Sequence, residues 1–319
     1  MKPYVIGLDL GGTNAVFGIV DINGEIKGTT SLKTKSFDCA EAFVKSSTEA
    51  LRPLIEQVGG TSMIQGMGIG APNANYYDGT IKEAPNIAWA KGTVPLVKMF
   101  SDSLGIPVAM TNDANAAAIG EQTYGVARGM KNFIMITLGT GVGSGIVVNG
   151  EMVYGSDGFA GELGHFTVVR ENGRLCGCGR KGCLEAYCSA TGVARTAREM
   201  LANSTEESML RKINPDDLTS LDVGIAAGKG DKLALEVFNF TGKMLGEACA
   251  DFATFCSPEA FVFFGGLMNA GELIMDPIRK GYDEHVFGLY RGKAKLLVSS
   301  LGGSSAVLGA SALGWNIRQ

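Results

Sequence analysis

The chain has 319 residues, a formal net charge of −4 at pH 7 and a pI near 5.4, and its lysines and arginines are scattered. This charge pattern argues against a nucleic-acid-binding surface, and no stretch reaches the roughly 20 apolar residues that a membrane-spanning helix needs. The seven cysteines are spaced unlike a disulfide framework and Asp9 interrupts the first apolar run, unlike a signal peptide, so a reduced, cytoplasmic protein is expected.

A unit made of two apolar runs around a glycine-threonine loop occurs twice, over residues 4–25 and 133–152. Its loops are residues 9–14 and 139–143, and each copy carries an Asn-Gly turn, which is a strong hairpin signal. An internal repeat of this kind predicts two similar lobes that face each other. The alternative is a chance similarity between two hairpins, but both the loop and the turn coincide.

The rest of the chain alternates predicted helices with predicted strands, which is typical of an α/β architecture. The predicted helices cover residues 38–58, 95–104, 114–125, 194–201, 232–257 and 271–282, followed by a C-terminal helix of small residues. The predicted strands cover residues 63–70, 108–110, 260–264 and 295–299, and residues 75–93 are predicted to be rich in loops. We expect a small N-terminal lobe of residues 1–112, joined by the C-terminal helix 303–319, and a large lobe of residues 113–302.

The two glycine-threonine loops are candidate phosphate-binding loops. Glycine lets backbone N–H groups approach an anion closely, and the Thr13 hydroxyl can donate to a phosphate oxygen. Asp9 would repel a bare phosphate, but it suits a Mg²⁺ ion held between the two. Ordinary glycine turns are the alternative for each loop, and the pairing favours phosphate. The chain lacks GxxxxGK[ST], and its one GxGxxG, at residues 177–182, begins no predicted helix.

Asn112 and Asp113 follow a predicted strand at the expected lobe boundary. A carboxylate there can accept the proton of a substrate hydroxyl as that hydroxyl attacks a phosphoryl group. The alternative role for Asp113 is the N-cap of the helix that follows, and the two roles are compatible.

Three cysteines, Cys176, Cys178 and Cys183, follow His165, which is one of only two histidines. Thiolates and an imidazole suit zinc, and four such ligands fill a tetrahedron, so the metal would be structural. Buried packing is the alternative role for the cysteines, but the tight Cys-x-Cys-x4-Cys spacing argues against it. If one ring nitrogen of His165 binds the metal, the other can hydrogen-bond a ligand hydroxyl.

Two carboxylates, Glu162 and Glu185, flank this group of candidate ligands. Carboxylates accept paired hydrogen bonds from neighbouring hydroxyls, so both residues suit the recognition of a polyol. Solvated surface charge is the alternative for each of them.

These motifs, in this order, closely resemble the ROK family of sugar kinases and sugar-responsive repressors. The motifs are Leu8-Asp9-Leu10-Gly11-Gly12-Thr13, Asn112-Asp113-Ala114-Asn115, Leu138-Gly139-Thr140-Gly141-Val142-Gly143, Gly161-Glu162-Leu163-Gly164-His165 and the loop from Cys176 to Glu185. The resemblance covers nearly the whole chain. It implies an α/β, actin-like ATPase fold (ribonuclease H-like, duplicated) with ATP and sugar in the cleft between two lobes.

The resemblance also implies a role for each matching residue. Asp113 is expected to be the catalytic base toward the sugar 6-hydroxyl. The expected sugar contacts are Asn86, Asn112, Asp113, Glu162, His165 and Glu185. The expected nucleotide contacts are Asp9, Gly11, Gly12, Thr13, Asn14, Gly139, Thr140, Gly141, Gly265 and Gly266. The expected zinc ligands are His165, Cys176, Cys178 and Cys183, within a zinc loop of residues 165–185.

Two features depart from the family pattern. Many members carry Ala-Pro-Gly where this chain has Ala71-Pro72-Asn73, so the loop on the sugar side is expected to differ. Repressor members begin with a winged-helix DNA-binding domain, and because Asp9 lies so early in the sequence no such domain is expected here.

The expected activity is that of an ATP- and Mg²⁺-dependent hexose kinase of the glucokinase type, which phosphorylates the sugar 6-hydroxyl. The alternatives within the family are kinases for N-acetylmannosamine, mannose, fructose or allose. The alternatives from other classes are a non-catalytic sugar sensor and, last, a zinc-stabilised scaffold without a ligand. The family often forms homodimers or tetramers, so a homo-oligomer is expected.

Overall fold

A computed structural model describes residues 2–84, 86–302 and 305–317 of the protein. The strands are β1 (Tyr4–Leu10), β2 (Asn14–Asp21), β3 (Ile26–Lys33), β4 (Ile64–Gly70), β5 (Ala74–Asn75), β6 (Thr80–Lys82), β7 (Thr93–Val94), β8 (Val108–Thr111), β9 (Phe133–Leu138), β10 (Val142–Val148), β11 (Glu151–Met152), β12 (Ala260–Phe264) and β13 (Lys295–Val298). The α-helices are α1 (Ala40–Gln57), α2 (Leu96–Leu104), α3 (Asp113–Tyr124), α4 (Glu185–Cys188), α5 (Ala190–Asn203), α6 (Ser220–Gly228), α7 (Lys232–Cys256), α8 (Glu272–His285) and α9 (Ser305–Trp315). Among these helices, none has the length and apolar character needed to cross a bilayer.

Two five-stranded sheets have the same internal order. The first runs β3-β2-β1-β4-β8 and the second runs β11-β10-β9-β12-β13. In both sheets the first three strands in the chain pair antiparallel with one another. The fourth strand pairs parallel with the first, and the fifth pairs parallel with the fourth. The internal repeat predicted from the sequence is therefore confirmed, and it extends beyond the hairpin to the whole sheet.

The two glycine-threonine loops close equivalent hairpins. Leu10 pairs with Ala15 across the first loop, and Leu138 pairs with Val142 across the second, which is one residue shorter. The turn after β10 has Asn149 and Gly150 at φ values of 54° and 84°, which match the right-handed twist of a two-residue hairpin. Each loop thus projects from the end of a rigid pair of strands.

Each sheet has its own apolar core. Helices α1 and α2 cover one face of the first sheet, and α5, α7 and α8 pack over the second, where buried side chains such as Phe238, Phe261 and Tyr282 meet. Helix α9 packs on β1 and β4 of the first sheet and on α3. Its approach is very close because Gly7 and Gly68 face it, where a Cβ would collide with the backbone carbonyls of Val307 and Ala310.

Most predicted elements are confirmed within a few residues, but the sequence prediction gives no range for β3 or α4. Residues 75–93 are rich in loops as predicted, and the short strands β5, β6 and β7 form a small antiparallel sheet there. Helix α6 has no sequence prediction, although Thr219 and Asp222 form a capping box at its start. Helix α9 lies inside the predicted helix 303–319, of which residues 303, 304, 318 and 319 fall outside the described part of the chain.

Candidate active site

Asp9 and Asp113 lie at the carboxyl ends of two parallel strands, β1 and β8, on either side of β4. Asp9 of β1 pairs with Gly70 of β4, and Gly70 pairs with Thr111 at the end of β8, two residues before Asp113. In open α/β sheets, ligands bind at this edge. A Cβ on Gly70 would press against the side chain of Ala116, so glycine allows β4 and helix α3 to approach closely.

The two carboxylates influence each other. Burial raises the pKa of Asp9 from its ordinary value of 3.8 to about 6, and the negative charge of Asp113 adds to the increase. A raised pKa marks a carboxylate that is crowded by protein and would gain from a nearby cation. Asp9 is therefore suited to bind a cation that accompanies a phosphate group in the cleft.

Asp113 is the first residue of α3, and its side chain is exposed to the cleft although protein surrounds it on the other sides. This crowding raises the pKa of its carboxyl, while a hydrogen bond from the Ala114 N–H, at 2.8 Å, opposes the increase. The N-cap of the helix is Asn112, whose side chain accepts the Asn115 N–H at 2.7 Å. The alternative that Asp113 serves as the cap is therefore wrong.

The first glycine-threonine loop exposes Thr13 and Asn14 at its tip. The Gly11 N–H donates to the Asn14 carbonyl at 2.9 Å, and within the described residues the N–H groups of Gly12 and Thr13 have no backbone acceptor. Unpaired N–H groups that point into a cleft can bind an anion. Lys33, which the sequence interpretation missed, donates to the Asn14 side chain at 3.0 Å and brings a positive charge to this loop.

Asn86 lies against the first loop. A Cβ on Gly12 would collide with the backbone carbonyl of Asn86, so glycine is required for this approach. The side chain of Asn86 is exposed. The structure thus places this predicted sugar contact beside the predicted nucleotide loop.

The second glycine-threonine loop has a similar backbone arrangement. The Gly139 N–H donates to the Gly141 carbonyl at 3.0 Å, and in the described part of the chain the Thr140 and Gly141 N–H groups have no backbone acceptor. Gly265 lies next to this loop, because a Cβ there would collide with the backbone carbonyl of Leu138. Its φ of 116° is also one that favours glycine. The predicted nucleotide residues of the second half of the chain are therefore close together.

A cavity of about 290 Å³ opens beside Thr140. It is lined by Thr140, Ala190, Thr191, Ala194, Arg198, Asp216, Asp217, Leu218, Thr219 and Ser220. Its walls come from α5 and from the segment that leads into α6, which share no motif with the two loops. Sequence reasoning missed this cavity because only the folded arrangement brings these residues to the second loop.

The predicted sugar contacts of the second half of the chain lie within electrostatic reach of one another. Burial raises the pKa of Glu162, His165 opposes the increase, and the charges of Asp113 and Glu185 add to it. Four of the predicted residues therefore share one polar region. The alternative of isolated surface charge fits Glu162 and Glu185 poorly, since neither is remote from other charged groups.

The loop that carries Glu162 and His165 is fixed at both sides. The buried Ser144 of β10 donates to the Gly161 carbonyl and accepts the Leu163 N–H at 3.0 Å. From the first half of the chain, Asn75 donates to the Asp157 carbonyl at 2.6 Å. The small sheet β5–β7, in the segment predicted to be rich in loops, therefore helps to hold the loop on the sugar side.

Glu185 contacts both the cysteine group and the second loop. One carboxylate oxygen accepts the Val142 N–H at 2.9 Å, and the other lies 3.5 Å from the Cys176 sulfur. The residue is the last of the zinc loop and the first of helix α4.

The four predicted metal ligands come together. One ligand atom from each of His165, Cys176, Cys178 and Cys183 lies within 4.8 Å of all the others. His165 Nδ1 lies 3.7 Å from Cys176 Sγ, and Cys178 Sγ lies 3.7 Å from Cys183 Sγ. Two sulfurs bound at about 2.3 Å to a tetrahedral zinc would be about 3.8 Å apart, so the donor set and its spacing fit this metal.

Comparisons with known proteins agree with this geometry. The model of the ROK family matches residues 5–316. A glucokinase of Halalkalibacterium halodurans is 36% identical, with 99% of this chain and 95% of that protein covered. A ROK family glucokinase from Streptomyces griseus, solved in complex with glucose and AMPPNP, is 36% identical, with a TM-score of 0.78 and with 97% and 98% of the chains covered.

A ROK hexokinase from Thermus thermophilus is 26% identical and superposes with a TM-score of 0.83, with 98% of each chain covered. These similarities, together with the duplicated sheets, confirm the predicted α/β, actin-like ATPase fold of two lobes around a cleft. By both its sequence and its fold, the chain belongs to the ROK family.

Proposed function

We propose that this ROK family protein is a glucokinase, which transfers the γ-phosphoryl group of ATP to the 6-hydroxyl of glucose. The observation that carries the proposal is the position of Asp113. Its exposed carboxylate lies just after the carboxyl end of β8 and close to Asp9, at the start of the loop whose Gly12 and Thr13 N–H groups have no backbone acceptor among the described residues. The relatives that match over nearly their whole length support this choice of reaction and sugar.

Asp113 is proposed as the general base. Its carboxylate would accept the proton of the sugar 6-hydroxyl as the oxygen attacks the γ-phosphorus, and the bond from phosphorus to the bridging oxygen of ADP would break. A positioned base of this kind contributes a factor of about 10² to 10⁴ to the rate. Most of the remaining acceleration in phosphoryl transfer comes from positioning and charge stabilisation.

The two loops are proposed to hold the nucleotide. The residues are Asp9, Gly11, Gly12, Thr13 and Asn14 from the first half of the chain, and Gly139, Thr140, Gly141, Gly265 and Gly266 from the second. Asp9 would hold Mg²⁺, which supplies positive charge next to the phosphates. The cavity beside Thr140 is large enough for the adenosine part and adjoins the phosphate loop.

The sugar is proposed to bind through Asn86, Asn112, Glu162, His165 and Glu185, together with Asp113. The chemistry is favourable because carboxylates accept hydrogen bonds from neighbouring hydroxyls. His165 faces Cys176 with Nδ1, so Nε2 remains for a sugar hydroxyl. A structural Zn²⁺ ion on His165 and the three cysteines would fix the orientation of the imidazole ring.

The lobes are proposed to be residues 1–112 with the C-terminal helix, and residues 113–302. Helix α9 packs on strands of the first sheet, which supports its assignment to the first lobe. Closure of the lobes on glucose would exclude water, which competes with the sugar as phosphoryl acceptor. We further propose a cytoplasmic homodimer or tetramer that binds neither nucleic acid nor membrane.

The test is ADP release from ATP and Mg²⁺ with a panel of glucose, mannose, fructose, allose and N-acetylmannosamine. We expect kcat/KM to be highest for glucose. A higher kcat/KM for another sugar would mean that this other sugar, and not glucose, is the substrate. Sugar binding without any turnover would instead favour the non-catalytic sensor and overturn the kinase.

A further inference from the structure

Glu185 occupies a junction between three parts of the site. It begins α4, it ends the zinc loop, and it lies against the second phosphate loop. A residue that only contacts sugar would not need to lie against the phosphate loop.

The contact is made by backbone groups of the loop. The Val142 N–H, directly after the loop glycines, donates to Glu185 Oε2 at 2.9 Å. Gly141 packs so closely that a Cβ there would collide with the same carboxylate oxygen. The carboxylate therefore supports the loop at the point where β10 begins.

The remaining anchors of the loop come from the segment that follows α4. The Ala190 N–H donates to the Gly139 carbonyl at 2.9 Å, and the Thr191 hydroxyl donates to the Thr140 carbonyl at 3.1 Å. Helix α4 is only four residues long, so a shift of Glu185 is transmitted to Ala190 over a short distance. The loop and Glu185 therefore move together.

We propose that Glu185 couples the two substrates, because the same carboxylate accepts sugar hydroxyls and holds the second phosphate loop in its binding shape. This inference rests on the proposed function. Bound glucose fixes the carboxylate, the fixed carboxylate fixes the Val142 N–H, and the ordered loop binds phosphate more tightly. Thermodynamic linkage requires that nucleotide strengthens glucose binding by the same factor.

Glu162 provides a matched control. It belongs to the same proposed sugar subsite and carries the same charge, but within the described residues its side chain makes no hydrogen bond to the phosphate loop. Glu162→Ala should therefore weaken sugar binding and leave nucleotide binding nearly unchanged. The equivalent change at Glu185 should also affect nucleotide binding when no sugar is present.

The experiment is calorimetric titration of AMPPNP with Mg²⁺ in the absence of sugar. Glu185→Ala is expected to weaken AMPPNP binding by about tenfold, the size expected for a lost hydrogen bond to a charged group, and Glu162→Ala by less than about twofold. With glucose added, the wild-type affinity for AMPPNP should increase, and Glu185→Ala should lose this increase. Equal AMPPNP affinities for the wild type and Glu185→Ala would overturn the coupling.

A second variant excludes an effect that acts through the zinc loop. Gly141→Ala changes neither the cysteines nor the residue at position 185, but its Cβ displaces the Glu185 carboxylate. It is expected to weaken glucose binding several-fold in the absence of nucleotide, and unchanged glucose affinity would overturn the coupling. Failure of the wild type to phosphorylate glucose would instead contradict the proposed function. The AMPPNP titration measures binding and needs no turnover, so it tests the coupling independently of the proposed function.

Discussion

Asn112 caps helix α3 and leaves the carboxylate of its neighbour Asp113 directed at the cleft. The Asn112 side chain accepts the Asn115 N–H at 2.7 Å, so the start of the helix does not depend on Asp113 for its cap. This arrangement separates the structural role from the proposed chemical one. It also makes Asp113 unusually suitable for substitution.

Asp113→Asn should lower kcat by a factor of about 10² to 10⁴, because the amide cannot accept the proton of the sugar hydroxyl. Since Asn112 retains the cap, the melting temperature should stay the same or increase. Steady-state kinetics and thermal unfolding measure the two effects. Turnover near the wild-type value in a folded Asp113→Asn protein would exclude Asp113 as the base.

Asp9→Asn should stabilise the protein without ligands at alkaline pH. The folded-state pKa of about 6 exceeds the ordinary 3.8, so ionisation of Asp9 opposes folding. This cost is complete above about pH 6 and vanishes below 3.8, where the carboxyl is protonated in both states. A shift of two units corresponds to about 3 kcal/mol, and solvent in the cleft reduces it, so we expect a gain of about 1–2 kcal/mol at pH 8.

Urea unfolding at pH 8 and pH 4.5 checks this prediction. The gain from Asp9→Asn should shrink toward the lower pH, and MgATP affinity should fall because one carboxylate ligand is lost. A gain of the same size at both pH values would mean that the charge of Asp9 is not its cause. Lys33→Met, which changes charge at the same loop, serves as the control.

The value of kcat/KM for ATP should fall on the acid side of about pH 6. This parameter reports ionisations of the free enzyme, in which burial and Asp113 raise the pKa of Asp9 to about 6. At one unit below that pKa about a tenth of the molecules would carry an ionised Asp9, so kcat/KM should fall roughly tenfold. A flat profile from pH 7 to pH 5 would contradict the assignment of Asp9 to the nucleotide side.

Cys178→Ala should remove the bound zinc. Cys178 is exposed, so the variant loses little packing, and the expected loss of about 3 kcal/mol in unfolding free energy comes from the metal. Glucose affinity should fall roughly tenfold because His165 loses its orientation. Metal analysis, thermal unfolding and glucose titration measure these effects, with the equally exposed Cys39→Ala as the control. Zinc at one per chain in Cys178→Ala would contradict the ligand set.

Gly12→Ala should destabilise the protein by about 1–3 kcal/mol, the usual cost of overpacking, because its Cβ collides with the Asn86 backbone. Gly139→Ala, in the second loop, meets no atom within 4 Å and should change stability by less than about 0.5 kcal/mol. Thermal unfolding of the two variants side by side gives the comparison. Equal stability would mean that the first loop can move away from Asn86.

The sequence predicts those features that depend on local patterns. The duplicated hairpins are visible because apolar runs, glycine-threonine loops and Asn-Gly turns occur in the same order twice. The metal group is visible because its cysteines lie within eight residues, from Cys176 to Cys183. The C-terminal helix is visible as a stretch of small and apolar residues.

Other features depend on contacts between distant segments and have no local signal. Strands β5 and β7 have two residues each, too few to show an alternating pattern. The hydrogen bond between Glu185 and Val142 joins residues 43 positions apart, and the cavity beside Thr140 combines three separate segments. The N-cap was assigned to the wrong residue because both Asn and Asp suit that position.

The packing of α9 on the first sheet also constrains the order of events during synthesis. Strands β1 and β4 leave the ribosome early, and the buried Val5 and Val20 are covered by Val307 and Leu308 of a helix made after the whole second sheet. The N-terminal half must therefore remain with an uncovered apolar face while the C-terminal half completes its own core. Nascent chains arrested before α9 should bind a chaperone through residues of the first sheet, although that sheet is translated first.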